Sequence, residues 1–420
     1  RGRVFKFSLI QPRKLDMHVQ DVKPKEDFTR FLTEDLGYQD PKEEDYIENS
    51  CIAVLSEDQI AFLKKASTEI YAMCMEAVKN VINNKRYDEF GIGNLQARYI
   101  ETSWADHKNA SSDLCNRFDF CWDGDETLKF YEINADVPGT IYEASVIQAE
   151  VLKDLMQRGQ VPVHAKQFNG IENSLLGRFK TLDDQFQSRA DVFHFSAMLE
   201  DAESLTSTLY LEALAQKAGW KTKFVDLNLI GANTDPASSY YATFFDHDDQ
   251  EIQLIYKLMA WEHIFESDFS TIIPDSKTHF IEPAWKAILS NKMLSVVLWE
   301  MFPDSPYLLP TYTSAEKFSD SYVEKPIFGR GSEAVKIHLG DQIIRKKPDT
   351  LNPANNIFDD YPKVYQDYHP LPEVSSLKGY HYLTSTWVTP DGQACGLEFR
   401  MDRSLITEGH NVKFLSHYVV

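Results

Sequence analysis

The sequence is poor in cysteine, in long apolar runs and in net positive charge, and each shortage excludes something. Five cysteines, Cys51, Cys74, Cys115, Cys121 and Cys395, are scattered over 420 residues, odd in number and never spaced Cys-x-x-Cys. That spacing argues against a disulfide framework and fits free thiols in a reducing, cytoplasmic setting. The twelve histidines show no zinc spacing. No apolar run approaches the roughly 18 residues of a membrane span. The basic opening RGRVFKFSLIQPRKL lacks the apolar centre and small-residue cleavage site of a signal peptide. Asp and Glu outnumber Lys and Arg by 64 to 43, a net charge of −21. A nucleic-acid surface needs a basic patch, so that partner is argued against. A cationic partner is permitted, although solubility alone accounts for the charge. Gly-x-Gly-x-x-Gly and the Walker A Gly-Lys-Ser/Thr are missing too, so neither NAD nor a P-loop is inferred. There is no internal repeat.

What is present reads as an ordinary folded protein, 43% hydrophobic and 13% aromatic, long enough for two or three domains. The segment 56–84 is the clearest helix. Ser56 and Gln59 form a capping box, and Ile60, Leu63, Ile70, Met73, Ala77 and Val81 recur on one face as core. Residues 190–231 read strand, helix, strand, a βαβ unit of a parallel, Rossmann-like layer. GIGN at 91–94 reads as a loop. Connections are expected at 158–170, 231–239 and 346–362, where Pro, Asn, Asp and Gly crowd.

Three stretches carry chemistry. RFDFCWDGDETLKFYEIN (117–134) is two alternating runs joined by a turn, a hairpin signal. Alternation puts Arg117 with Asp119 on one face, and Leu128, Phe130, Glu132 and Asn134 together on one face. If the polar ends meet, two carboxylates, an amide oxygen and a guanidinium converge, a donor set suited to Mg²⁺ bridging phosphates. A solvated sheet with surface ion pairs would carry the same pattern. The run then passes through Pro138 and Gly139 into a helix, a junction where backbone N–H groups can meet an anion. YVEKPIFGRGSEAVKIH (322–338) reads as strand, glycine loop and return strand, with Lys325 before the loop and Arg330, Gly331 and Ser332 within it. A lysine so placed can pair with nucleotide phosphates while loop N–H groups cover them; a hairpin with a charged tip is the plain alternative. A helix entered at Pro283 carries Lys286 and Lys292, which singly carry little weight and have solvated side chains as the plain alternative. A further Arg-x-Asp, Arg400 and Asp402, ends an alternating strand.

Taken together, RFDF…YEINAD, YKLMAWEHIF, IEPAWKAILSNK, EKPIFGR, VYQDYHPLP and FRMDRSLITEGH, in this order over roughly residues 90–417, resemble the synthetase domain of the glutathionylspermidine synthase family. The resemblance implies an α/β ATP-grasp fold with a Rossmann-like pre-ATP-grasp domain and a lid, without a preceding amidase domain. It implies an ATP- and Mg²⁺-dependent carbon–nitrogen ligase that joins a peptide carboxylate to a polyamine-like amine through an acyl phosphate. The matching positions assign Asp119, Glu132 and Asn134 to the metal, and Arg117 and Arg400 to the acyl phosphate and phosphate clamp. Lys292, Lys325, Arg330, Gly331, Ser332, Gln366 and also Arg400 fall to the nucleotide, and Glu262, with Arg117, to substrate. The expected segments are 1–165 (core with the metal hairpin), 166–280 (pre-ATP-grasp), 281–362 (helix and lid) and 363–420 (strands returning to the core). Two departures bear on lid chemistry and substrate choice. Gly331-Ser332 stands where the family usually has Glu-Gly, and Met401 stands within the usual Arg-Glu-Asp. A nucleotide-binding protein without ligation and a peptide or amino-acid ligase are the alternatives. Nothing in the sequence sets the oligomeric state or selects the acid and the amine.

Overall fold

The long helix Glu57–Asn83 organises the larger core. Ser56 Oγ accepts from Gln59 N at 3.2 Å and Gln59 Oε1 accepts from Ser56 N at 2.8 Å, the reciprocal cap that the sequence predicts. Ile60, Leu63, Ile70, Ala77 and Val81 are buried, and Met73 packs at the edge of the same cluster. Above this stripe lies a five-stranded antiparallel sheet in the order Lys413–Leu415, Ala394–Asp402, His381–Val388, Asn116–Trp122, Leu128–Asn134. Phe118, Phe120 and Phe130 meet beneath it with centroids 5.6–6.0 Å apart. Each such ring contributes about 1.5–3 kcal/mol on burial. The computed structural model describes residues 17–38, 46–109, 112–186, 190–345, 358–374, 377–407 and 412–420. The basic opening and most of the 346–362 connection lie outside these residues.

The predicted hairpin forms, but not with uniform alternation. Asp119 pairs with Glu132 while Phe120 pairs with Phe130, so Tyr131 is an extra residue in a β-bulge. The bulge moves Leu128 and Phe130 to the core face and leaves Glu132 and Asn134 opposite Asp119 and Arg117 on the other. This corrects the expectation that all four share one face.

A second antiparallel sheet is built from Thr311–Tyr312, Lys363–Asp367, Ser321–Pro326, Lys336–Leu339 and Gln342–Arg345, in that order. Lys363–Asp367, expected among the strands returning to the core, pairs here with Ser321–Pro326 instead. The βαβ unit is present as read: Phe193–Ala197, helix Ala202–Lys217 and Thr222–Asp226, extended by Leu254–Lys257 and His279–Ile281 into a parallel sheet. Phe193–Ala197 is buried throughout, as expected of a parallel strand covered on both faces. Helix Ile171–Phe186 packs close to strand Ala394–Asp402. A Cβ on Gly396 would stand 2.5 Å from Ile171 Cγ1, so only glycine fits there. A small three-stranded sheet joins Val19–Asp21, Cys51–Leu55 and His417–Val419, the last two in parallel.

Candidate functional site

The upper face of the five-stranded sheet and the inner face of the second sheet enclose a cavity of about 770 Å³. Its floor is an ion-pair network. Arg117 grips Asp119 with both prongs, Nε to Oδ1 at 2.9 Å and Nη2 to Oδ2 at 3.1 Å. Arg400 Nη2 lies 3.0 Å from the same Oδ2, Asn134 Nδ2 donates to it at 3.1 Å, and Ser385 Oγ donates to Oδ1 at 2.8 Å. Burial alone would lift the Asp119 carboxyl, but Arg117 and Arg400 hold it well below the usual carboxylate range. Arg117 Nη1 also donates to the Gly139 carbonyl at 2.8 Å. The Pro138–Gly139 junction therefore presents an acceptor to the arginine.

The roof supplies lysines. Lys325 Nζ, buried, donates to Gln366 Oε1 at 2.8 Å and stands 5.3 Å from the Tyr131 ring centroid. Burial pushes its pKa down to about 8, against the pull of Glu132. Gln366 Nε2 donates in turn to Thr311 Oγ1 at 3.3 Å. Lys292 Nζ donates to the Gly329 carbonyl at 2.7 Å and lies 3.7 Å from Glu132 Oε2. Neither it nor Lys286 takes the solvated alternative. Lys286 is fully buried and is held by Glu282 and, at 2.9 Å, by the Cys115 carbonyl, away from the cavity. The glycine loop turns through positive φ at Gly329, Gly331 and Ser332. Ser332, at +60°, adopts there a conformation better suited to glycine. Arg330 leaves the loop to pair with Glu262 and to donate to His263 Nε2 at 2.9 Å. Burial, and then Arg330, hold the His263 pKa down, consistent with a neutral acceptor.

The cavity wall beside the 135–140 turn is acidic. Asp201, Glu203, Ser204 and Ser207, at the start of helix Ala202–Lys217, line it with Tyr46. A Cβ on Gly139 would meet Glu203 Oε1 at 3.1 Å, so that carboxylate lies against the 135–140 turn. Behind this wall Glu143 accepts from Tyr38 Oη at 2.8 Å. Burial, helped by Glu203, pushes its pKa up to about 7. The turn itself is pinned by Ser290 Oγ, which accepts from Ala135 N and Asp136 N at 3.1 and 2.9 Å, and by the buried Asp136–Lys257 pair.

A family profile described as glutathionylspermidine synthase preATP-grasp matches residues 20–420. The chain belongs to the glutathionylspermidine synthase preATP-grasp family. Within and around this family, the chain is 33% identical over 370 residues to a provisionally named acid–amine ligase of Haemophilus influenzae, covering 86% of this chain and 88% of that one. It is 25% identical to the bifunctional glutathionylspermidine synthetase/amidase of Escherichia coli over 82% of this chain and 55% of the relative, and so spans about half that protein's length. Among solved structures, an apo glutathione synthetase-like effector from Globodera pallida superposes with a TM-score of 0.50 at 12% identity, over 88% of this chain and 89% of that one. The fold is ATP-grasp, and the parallel sheet is its Rossmann-like layer.

Measured against the glutathionylspermidine synthase family resemblance, Arg117, Asp119, Glu132, Asn134, Lys292, Lys325, Arg330, Gly331, Ser332, Gln366 and Arg400 all line the one cavity. Glu262 stands beside it, engaged by Arg330. Sequence reading missed Glu398, Thr140, Ser385 and Glu203. Each looks ordinary in its own segment, and only the shared register of Glu398 with Ser385 and of Ser385 with Asp119 brings two of them to the floor. The oxygen set also fits Mg²⁺. Asn134 points its Nδ2 at Asp119, which leaves Oδ1 as the amide donor, and the Glu132 side chain is 29% exposed. Among the described residues no three His, Cys, Asp or Glu form a metal cluster.

Proposed function

We propose that the protein is an ATP-dependent acid–amine ligase acting on a small peptide carboxylate and a cationic amine. The observation that carries this reading is the convergence of Arg117, Arg400, Lys292 and Lys325 over Asp119, Glu132 and Asn134 in a cavity that Asp201 and Glu203 also line. Phosphoryl transfer needs positioning and charge neutralisation more than covalent help, and this is what two guanidiniums and two ammonium groups provide. Lys292 and Lys325 bind the nucleotide phosphates, with Arg330, Gly331 and Ser332 covering them and Gln366 beside the base. Asp119, Glu132 and Asn134 would hold Mg²⁺, which supplies charge neutralisation at the phosphates.

A carboxylate oxygen attacks the γ-phosphorus and ADP leaves. Arg117 and Arg400 hold the resulting acyl phosphate. The amine, having lost one proton, attacks the acyl carbon with its lone pair. The carbon–oxygen bond to phosphate breaks, phosphate leaves, and the new amide nitrogen gives up its second proton. Asp201 and Glu203 favour an amine with further positive charges, as in a polyamine, over an amino acid, whose carboxylate they would repel. The relatives' names agree with this class of reaction. Among the described residues no helix is long and apolar enough to cross a membrane. All five cysteines are free thiols and four are buried, in keeping with a cytoplasmic setting.

The test is ADP release with glutathione plus spermidine, with each alone, and with amino acids as acceptors, with mass spectrometry for a new amide. Release that requires both partners, with an amide product, is expected. An amide formed only with an amino acid moves the reading to a peptide ligase. Nucleotide binding without partner-dependent release leaves a binding protein.

A further inference from the structure

The two arginines of the floor have a second counter-ion that never reaches the cavity. Glu398 is fully buried on strand Ala394–Asp402. Its Oε1 lies 3.3 Å from Arg400 Nε and 3.9 Å from Arg117 Nε. Trp387 Nε1 donates to Oε2 at 3.1 Å, and the Thr140 hydroxyl stands 2.9 and 3.0 Å from the two oxygens. Burial raises the Glu398 pKa, while Arg400 and then Arg117 pull it back. Thr140 also stands 3.3 Å from Arg117 Nη1, and it holds a backbone φ of +68°. A β-branched residue rarely adopts that conformation. The turn is thus kept in a disfavoured shape that sets this hydroxyl between Arg117 and Glu398.

We propose that Glu398 is a positioning residue for the Arg117–Arg400 pair, with Thr140 as its tether. The argument is electrostatic. Two guanidiniums side by side repel, and here they share Asp119. Asp119 lines the cavity and can be drawn towards a bound cation, which weakens its hold on both arginines. Glu398 cannot follow, because none of it is exposed. It therefore keeps the pair together when Asp119 is engaged elsewhere. This rests on the reading above that the arginines meet a phosphorylated acid, and the test separates the two claims.

Binding of inorganic phosphate and, separately, of ADP without metal is measured by calorimetry for the wild type, Glu398→Gln, Thr140→Val and Thr140→Ser, alongside kcat and KM with glutathione, spermidine and ATP. If Glu398 acted only as a charge, removing it would leave more positive potential and phosphate would bind tighter. If it positions the arginines, phosphate binding weakens by about tenfold or more, while ADP affinity moves less than about twofold. Thr140→Val should weaken phosphate in the same direction, and Thr140→Ser, which restores the hydroxyl, should recover it. Should Glu398→Gln fail to fold, the Val and Ser pair carries the test. Tighter or unchanged phosphate binding, a parallel loss of phosphate and ADP, or no difference between Val and Ser overturns the proposal. A wild type that binds no phosphate overturns the clamp itself. A wild type that binds phosphate but not ADP sinks the ligase reading and still leaves the phosphate arm to judge Glu398.

Discussion

The floor and roof of the cavity are built on different principles. On the floor, Asp119 receives donors from Arg117, Arg400, Asn134 and Ser385, supplied by all four of the strands Asn116–Trp122, Leu128–Asn134, His381–Val388 and Ala394–Asp402. Removing any one leaves the others in place. On the roof, Lys325 leans on Gln366 and a ring, Lys292 on one carbonyl, and Arg330 on a short helix, Trp261–Glu266. Those partners are few, and phosphate oxygens can replace them. The contrast separates two tasks. Under the ligase reading proposed above, the floor would fix the reacting carbon and phosphorus, and the roof would exchange its own contacts for those of a nucleotide.

The sharpest way to break this contrast is Arg117→Lys. It keeps a charge but loses the fork that holds Asp119. We expect kcat to fall about 10³-fold, on the scale of other phosphate-clamping arginines, with the nucleotide KM nearly unchanged. A rise in nucleotide KM as large as the fall in kcat would dissolve the division. Lys325→Ala is the counterpart. It should weaken ADP binding about tenfold, the size of one charged hydrogen bond, and binding should fail before kcat does. The same lysine sharpens the comparison through pH. A phosphate neighbour favours the charged ammonium, so ADP affinity is level below pH 8 and falls as pH rises above it, by at most about tenfold per unit. Calorimetry in buffers of different ionisation enthalpy should show proton uptake at pH 8 in the wild type and none from this source in Lys325→Ala.

The smallest effect concerns the wall. Glu143 keeps its proton up to about pH 7 when folded and releases it near the ordinary glutamate value of 4.5 when unfolded. Its stabilising contribution is therefore complete below 4.5 and is lost as pH rises through 7. Glu143→Gln, which can still accept from Tyr38, should melt about 2–4 °C above the wild type at pH 8. That difference should close towards pH 5. Equal melting points at pH 8 would mean that the carboxylate is solvated.

Much of the site was legible because its residues sit in local patterns. A capping box, a period-two hairpin and a glycine loop after a lysine are short-range signals, and each forms where it was read. The bulge at Tyr131 was not legible, because an extra residue shows only against its partner strand. The burial of Lys286 was not legible, because Glu282 alone does not reveal a buried site and the Cys115 carbonyl comes from 171 residues away. The pairing of strand Lys363–Asp367 with Ser321–Pro326 was not legible either, since its alternation fits either sheet. Glu398 escaped for a related reason: alternation sets it on the face of Arg400, but only the pairing with Ser385, and of Ser385 with Asp119, brings Arg117 to it.

The pairing order of the five-stranded sheet also bears on synthesis. Strand Asn116–Trp122 leaves the ribosome with its hairpin partner, but its other neighbour, His381–Val388, follows more than 250 residues later. Asp119 waits for Ser385 across 266 residues, and Cys51–Leu55 waits for His417–Val419. Contacts so far apart in sequence close late and slowly. A nascent chain can assemble its parallel layer early, yet it exposes the upper side of its long helix and the aromatic underside of the hairpin until the final strands arrive. A ribosome that stalls before residue 381 thus leaves a chain without a working centre and with Phe118, Phe120 and Phe130 only partly covered, a substrate for chaperones or proteases rather than a partial enzyme.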